Sequence, residues 1–165
     1  MFKNAIYGKV FIIFLLTSVF CGCAALTVKR DESKNTMVYP YPCDKLWDNL
    51  IEVITEHGDT VVVKDNEKGI IFTGYDEISV EELKRIAKMP PLSISSGLAG
   101  AWLYARKKTD YSIKAISSSE TQVKMISYLQ GYNASGQRWV NIFTNGVKEK
   151  ETFDELQDLF KKTDN

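Results

Sequence analysis

The residues able to do chemistry in this chain of 165 residues are few and far apart. His57 is its single histidine. Triad or metal chemistry needs partners around an imidazole, whereas His57 stands beside Gly58 at the end of a helical stretch. A cation there complements the negative end of the helix dipole. Three cysteines are present, Cys21 and Cys23 one residue apart and Cys43 alone. The acid pairs Asp76-Glu77 and Glu81-Glu82 have the composition for weak cation binding, but such pairs also mark an exposed helix start. Ser95-Ser96-Gly97-Leu98-Ala99-Gly100 has glycines without the Lys-Ser or Lys-Thr of a phosphate loop. Neither a G-x-S-x-G elbow nor an H-E-x-x-H helix occurs. Asn133-Ala134-Ser135 has the spacing of a glycosylation sequon. No catalytic residue, metal site or cofactor is expected.

The strongest pattern lies at the front. Lys3 and Lys9 precede an apolar run, Val10 to Phe20, which Thr17 and Ser18 alone interrupt. A run of about 7–15 apolar residues after positive charge suits a secretory signal, whereas a spanning helix needs about 20. Extended through Val28, the same run reaches spanning length, so an uncleaved anchor is the competing reading; the small residues after Phe20 favour cleavage. Phe20-Cys21-Gly22-Cys23 resembles the lipobox of bacterial lipoproteins. The resemblance implies lipidation of the Cys23 thiol and signal cleavage between Gly22 and Cys23. It also implies that Cys21 leaves with the signal. Phe20 departs from the Leu usual in that position. Cys43 then remains as the free thiol, expected to be buried as a small hydrophobe or held in a mixed disulfide with a partner. In lipoproteins an Asp after the acylated cysteine favours inner-membrane retention; Ala24 stands here, which implies an outer-membrane destination facing the periplasm where the host has one.

Three segments follow: a signal over 1–22, an acylated N-terminus and polar tether over 23–36, and one domain over 37–165. The chain has 44% hydrophobic and 25% charged residues, an ordinary globular balance. Its 21 basic and 21 acidic residues cancel. Lys29-Arg30 and Arg106-Lys107-Lys108 are short basic clusters, and nucleic acid is not expected as a partner, since phosphate binding needs a broad basic surface.

Leu46, Trp47, Leu50, Ile51 and Ile54 recur at helical spacing after a possible N-cap at Asp44, and Gly58 stops that helix. Two β-branched runs, Thr60 to Lys64 and Gly69 to Thr73, predict a hairpin. Val80, Leu83, Ile86 and Ala87 predict a short helix halted by Pro90-Pro91. The segment Leu92 to Lys108 is apolar, then aromatic, then basic; from Ala101 it reads as a strand or an interfacial segment. Tyr111 to Ser117 and Thr121 to Tyr132 predict a second hairpin, and Arg138 to Thr144 a further strand. Val147 to Lys162 predicts a last helix with Phe153, Leu156, Leu159 and Phe160 on one face.

This order predicts an α+β fold, an antiparallel sheet of about four to five strands packed against two amphipathic helices. The stretches "YPYPCDKLWDNLIEVI…EKGIIFTG" and, more weakly, "WVNIFTNGVKEKETFDEL" resemble the helix-grip-like domains of small outer-membrane assembly lipoproteins. The resemblance implies an architecture and no active-site motif. The expected function is therefore that of a non-enzymatic, membrane-anchored lipoprotein, an accessory or assembly subunit of the bacterial envelope with a protein partner. Its membrane contact is through lipid on Cys23. The alternative is an envelope module that binds a lipid or other apolar small molecule between helices and sheet. Trp102, Tyr104 and Arg106 are the candidate partner surface, because an aromatic-plus-basic edge suits an interface.

Overall fold

A computed structural model describes residues 32–88 and 102–163. The lipobox residues Gly22 and Cys23, and the run from Pro90 to Ala101, lie outside them. A short 3-10 turn, Glu32–Asn35, opens the described chain. It leads into β1, Thr36–Tyr39, and α1, Cys43–Glu56. The strands β2, Val61–Asp65, β3, Ile70–Thr73, and β4, Asp76–Ile78, precede α2, Val80–Ile86. Then come β5, Trp102–Ala115, β6, Thr121–Asn133, β7, Arg138–Ile142, and α3, Val147–Thr163. The fold is α+β, and every strand pairing is antiparallel. Among the described residues, no helix is long and apolar enough to cross a membrane.

The sheet is built on the long hairpin β5–β6, paired from Trp102↔Asn133 to Ala115↔Thr121. Along the free edge of β6 lie β1, opposite residues 121–124, and β7, opposite residues 129–133. Along the free edge of β5 lie β3 and β4, with β2 outside β3. Seven strands thus share five positions across the sheet, two of which hold two short strands end to end.

Alternation sets the two faces. On β6, Thr121, Val123, Met125, Ser127, Leu129, Gly131 and Asn133 are buried, while the residues between them are not. The buried set faces the helices. Leu46, Trp47, Leu50, Val53 and Ile54 from α1 and Phe153, Leu156 and Phe160 from α3 close over Tyr111, Ile113, Val123, Met125 and Ile71. A smaller apolar cluster joins Leu83 and Ile86 of α2 to Ala105 and Leu129. Among the described residues, the opposite face of the sheet carries no helix.

Local signals account for the element ends. Ser79 caps α2, its Oγ accepting from the Glu82 N–H at 3.0 Å. Asn145 Oδ1 accepts from the Val147 N–H at the start of α3. α1 begins two residues earlier than the sequence suggests: Cys43 is its first residue, Pro42 stands at the cap, and Asp44 serves the first turn as an acid rather than as the cap. Gly69 is required where the β2–β3 turn meets β5. Its φ is +63°, and a Cβ there would lie 2.1 Å from the Ile113 carbonyl oxygen.

The structure corrects several expectations. The sheet is larger, because β1 and β4 add to it; the strand reading from Ala101 holds, and it runs unbroken into the strand expected from Tyr111 as the single β5. β1 takes up Thr36, within the expected tether, and Asn35 just before it is buried. α2 ends at Ile86, and Ala87 already bridges to Thr144. Cys43 is half-buried against the core, not fully buried. Its partial burial and the adjacent Asp44 raise the thiol's pKa.

Candidate functional site

Tyr104 and Arg106 stand on the helix-free face of β5, two residues apart and therefore on the same side. Three cross-strand rows run over that face. The first is Tyr104, Tyr132 and Trp139; the second is Arg106, Gln130 and Asn141; the third contains Lys108 and Tyr128. Tyr75, from the link between β3 and β4, reaches the second and third rows from the other edge.

Arg106 is the centre of this arrangement. Its guanidinium carbon lies 4.1 Å from the centre of the Trp139 ring and 4.4 Å from that of Tyr75. Arg106 Nε donates to Gln130 Oε1 at 2.8 Å, and Gln130 Nε2 donates in turn to Asn141 Oδ1 at 2.7 Å. The chain of amides fixes the rotation of the guanidinium between the rings. Lys108 Nζ lies 4.5 Å from the Tyr128 ring centre and 5.8 Å from that of Tyr75. Cation–π attraction of this kind contributes about 0.5–1 kcal/mol at an exposed site. Tyr132 meets Trp139 edge-on with centres 5.5 Å apart. Despite these contacts the rings stay open to solvent: Tyr104 is 59% exposed, Phe143 48% and Tyr75 40%. A surface concavity of about 500 Å³ opens beside the third row, lined by Tyr75, Lys108, Tyr128, Asn141, Ile142 and Phe143 among others.

Trp102 is not part of this group. The β-bulge between Trp102 and Tyr104 shifts the register. Trp102 covers Gly131 on the helix side of the sheet, where a Cβ on Gly131 would lie 2.5 Å from its ring. Of the three predicted surface residues, the fold therefore joins Tyr104 and Arg106 and sets Trp102 on the opposite face. Tyr75, Tyr128, Tyr132 and Trp139 were missed. Each lies on a different segment from Arg106, and only the alternation of Gln122 to Tyr132 hinted at a second patterned face.

The remaining chemistry-bearing residues have structural uses. His57 caps α1, and its Nε2 meets the Glu155 carboxylate of α3, tying the two helices together. The Asp76 carboxylate is occupied by Thr60, accepting from its N–H at 3.0 Å and its hydroxyl at 2.7 Å. Glu82 pairs with Arg85. Among the described residues, no three ligand-type side chains cluster as a metal site. A polar layer crosses the helix side of the sheet between the two apolar clusters, with Lys107 paired to buried Asp59, and with Thr109, Ser127, Glu149 and Thr152 also buried. Glu149 Oε2 accepts from the Thr144 hydroxyl at 2.8 Å. Burial, with Asp59 and Glu149 nearby, raises the pKa of the Tyr111 phenol. Such a layer sets how helices register on a sheet, since a buried ion pair costs about as much desolvation as it returns in attraction.

A second concavity, about 450 Å³, lies between the 3-10 turn and the start of α3, lined by Met37, Val147 and Phe153 with Lys34 and Lys150 at its rim.

No protein-family model matches the chain, and no curated protein matches it. Among solved structures it is similar to a DUF4468 family protein from Bacteroides ovatus, at 13% identity, covering 80% of this chain and 92% of that one, with a TM-score of 0.33.

Proposed function

We propose that this chain is a membrane-tethered, non-enzymatic docking domain of the bacterial envelope, which binds a protein partner on the helix-free face of its sheet. The observation that carries the reading is the face itself. Exposed Tyr75, Tyr128 and Trp139 hold two cations, the Gln130–Asn141 amides fix Arg106 further, and exposed Tyr104 stands in the neighbouring row. Aromatic and Arg side chains prearranged in this way are the usual anchors of protein interfaces, because they bury large area and lose little rotamer freedom. Lipid on Cys23 would hold the domain near its partner and raise their effective concentration, so that a modest interface suffices. Where the host has an outer membrane, its periplasm-facing side is the favoured location, on the resemblance of Phe20-Cys21-Gly22-Cys23 to lipoprotein processing sites and on the Ala24 that follows. The second reading, an apolar-ligand carrier, is favoured only by the concavity at Met37, Val147 and Phe153.

Native mass spectrometry of the chain, gently extracted from its own membranes, tests this. The expected species begins at Cys23, carries acyl mass and retains a bound protein, and Cys23→Ala remains an unprocessed precursor. A full-length chain without acyl mass would remove the lipid tether. A bound lipid in place of a protein would favour the carrier.

A further inference from the structure

We infer that the helix-free face recognises carboxylates: Arg106, with Lys108 beside it, receives an acidic side chain from an apolar segment of a protein partner. The inference rests on the docking reading above and names the chemistry of the partner.

Three observations lead to it. First, Arg106 is clamped in one orientation by Trp139, Tyr75 and Gln130, yet among the described residues its two terminal nitrogens have no acceptor. A guanidinium immobilised with donors unused is set up for a planar, bidentate acceptor, and carboxylates have that geometry. Second, Lys108 adds a positive charge two residues along the same face; Asp110 pairs with it only at long range, and Arg106 keeps no ion pair among the described residues. Asp110 Oδ1 is 3.7 Å from the Lys108 ammonium, and Glu77 stands opposite Arg106 across β4 and β5 with no ion pair joining them among the described residues. Third, the concavity of about 500 Å³ beside Lys108 is walled by Tyr128, Ile142 and Phe143, which gives an apolar neighbour of the acid a place to enter.

Other ligand classes fit less well. A sugar ring or a base would stack on aromatic faces, but Tyr75, Trp139 and Tyr128 each have a face taken by a cation. An anionic membrane surface is recognised by clusters of about four to eight basic side chains; among the described residues the aromatic rows hold two, Arg106 and Lys108, with Lys124 and Lys114 two and three rows further along. An acidic, partly apolar protein segment matches both charge and shape.

The test titrates the isotope-labelled protein with a peptide of alternating Glu and Leu and with its Gln-for-Glu counterpart, followed by NMR. The Glu peptide should shift the Arg106 side-chain Nε–H signal and the amides of β5, β6 and β7, and added salt should weaken it. The Gln peptide should bind at least about tenfold more weakly. Arg106→Lys, which keeps charge and loses the fork, should also weaken the Glu peptide roughly tenfold. The peptide pair keeps the test independent of how any variant folds. Equal binding of both peptides on this face would overturn carboxylate recognition and leave the docking face standing. No shift on this face with either peptide at millimolar concentration would overturn both. Binding of phosphatidylglycerol vesicles through the face, with no response to the Glu peptide, would overturn the protein partner in favour of a lipid surface.

Discussion

Arg106 and Lys107 are neighbours in sequence, and the period of a strand gives them opposite fates. Arg106 lies between two rings on the open face, while Lys107 is buried against Asp59 under the helices. A run of Arg-Lys-Lys reads as solvated surface because nothing local reveals that the middle charge has a partner 48 residues away. Trp47 is the simpler case. It is 3% exposed, in the stripe that α1 lays on the sheet, and its sequence spacing announced this. Trp47→Ala should cost about 3–5 kcal/mol in denaturant-induced unfolding, through lost burial and the cavity left behind. A change below about 1 kcal/mol would place Trp47 outside the core and make it a surface anchor.

At the scale of elements, α2 and α3 are joined across the surface by Arg85, which reaches Glu82 at 2.7 and 2.8 Å and Glu151 at 3.0 Å. Hydrogen bonding to that guanidinium lowers the pKa of both carboxyls below the ordinary Glu value of 4.5. Groups that titrate lower in the folded than in the unfolded chain stabilise it above the ordinary Glu range, and that stabilisation is lost as pH falls through the lowered values. Unfolding free energy followed from pH 7 to pH 3 should therefore drop more steeply for the native chain than for Arg85→Gln. Parallel curves would remove Arg85 as the link. The long elements were legible: α1, α3 and the β2–β3 and β5–β6 hairpins all carry apolar periodicity or a turn signal. β1 and β4 were not, since Thr-Met-Val-Tyr and Asp-Glu-Ile are too short to show a period and become strands by pairing with β6 and β5. The first half of β5 was legible only as one of two readings from Ala101, because its cations alternate between buried and less buried. The candidate site was legible only as Tyr104 and Arg106; Tyr75, Tyr128 and Trp139 join them through a sheet register that no single segment encodes.

For the whole molecule, the division of the sheet into two faces is the central feature. One face is sealed by α1, α2 and α3 over two apolar clusters and the polar layer between them. The other presents rings and cations to solvent. We propose that this second face docks a protein at the membrane. The most direct measurement places a photo-crosslinking residue at position 104, on the open face, or at position 157, an exposed site on α3, in the full chain in its own membranes. Position 104 should give a discrete protein adduct that Arg106→Gln weakens, and position 157 should give none. An adduct equally strong from position 157, or one from position 104 that is indifferent to Arg106, would contradict the account.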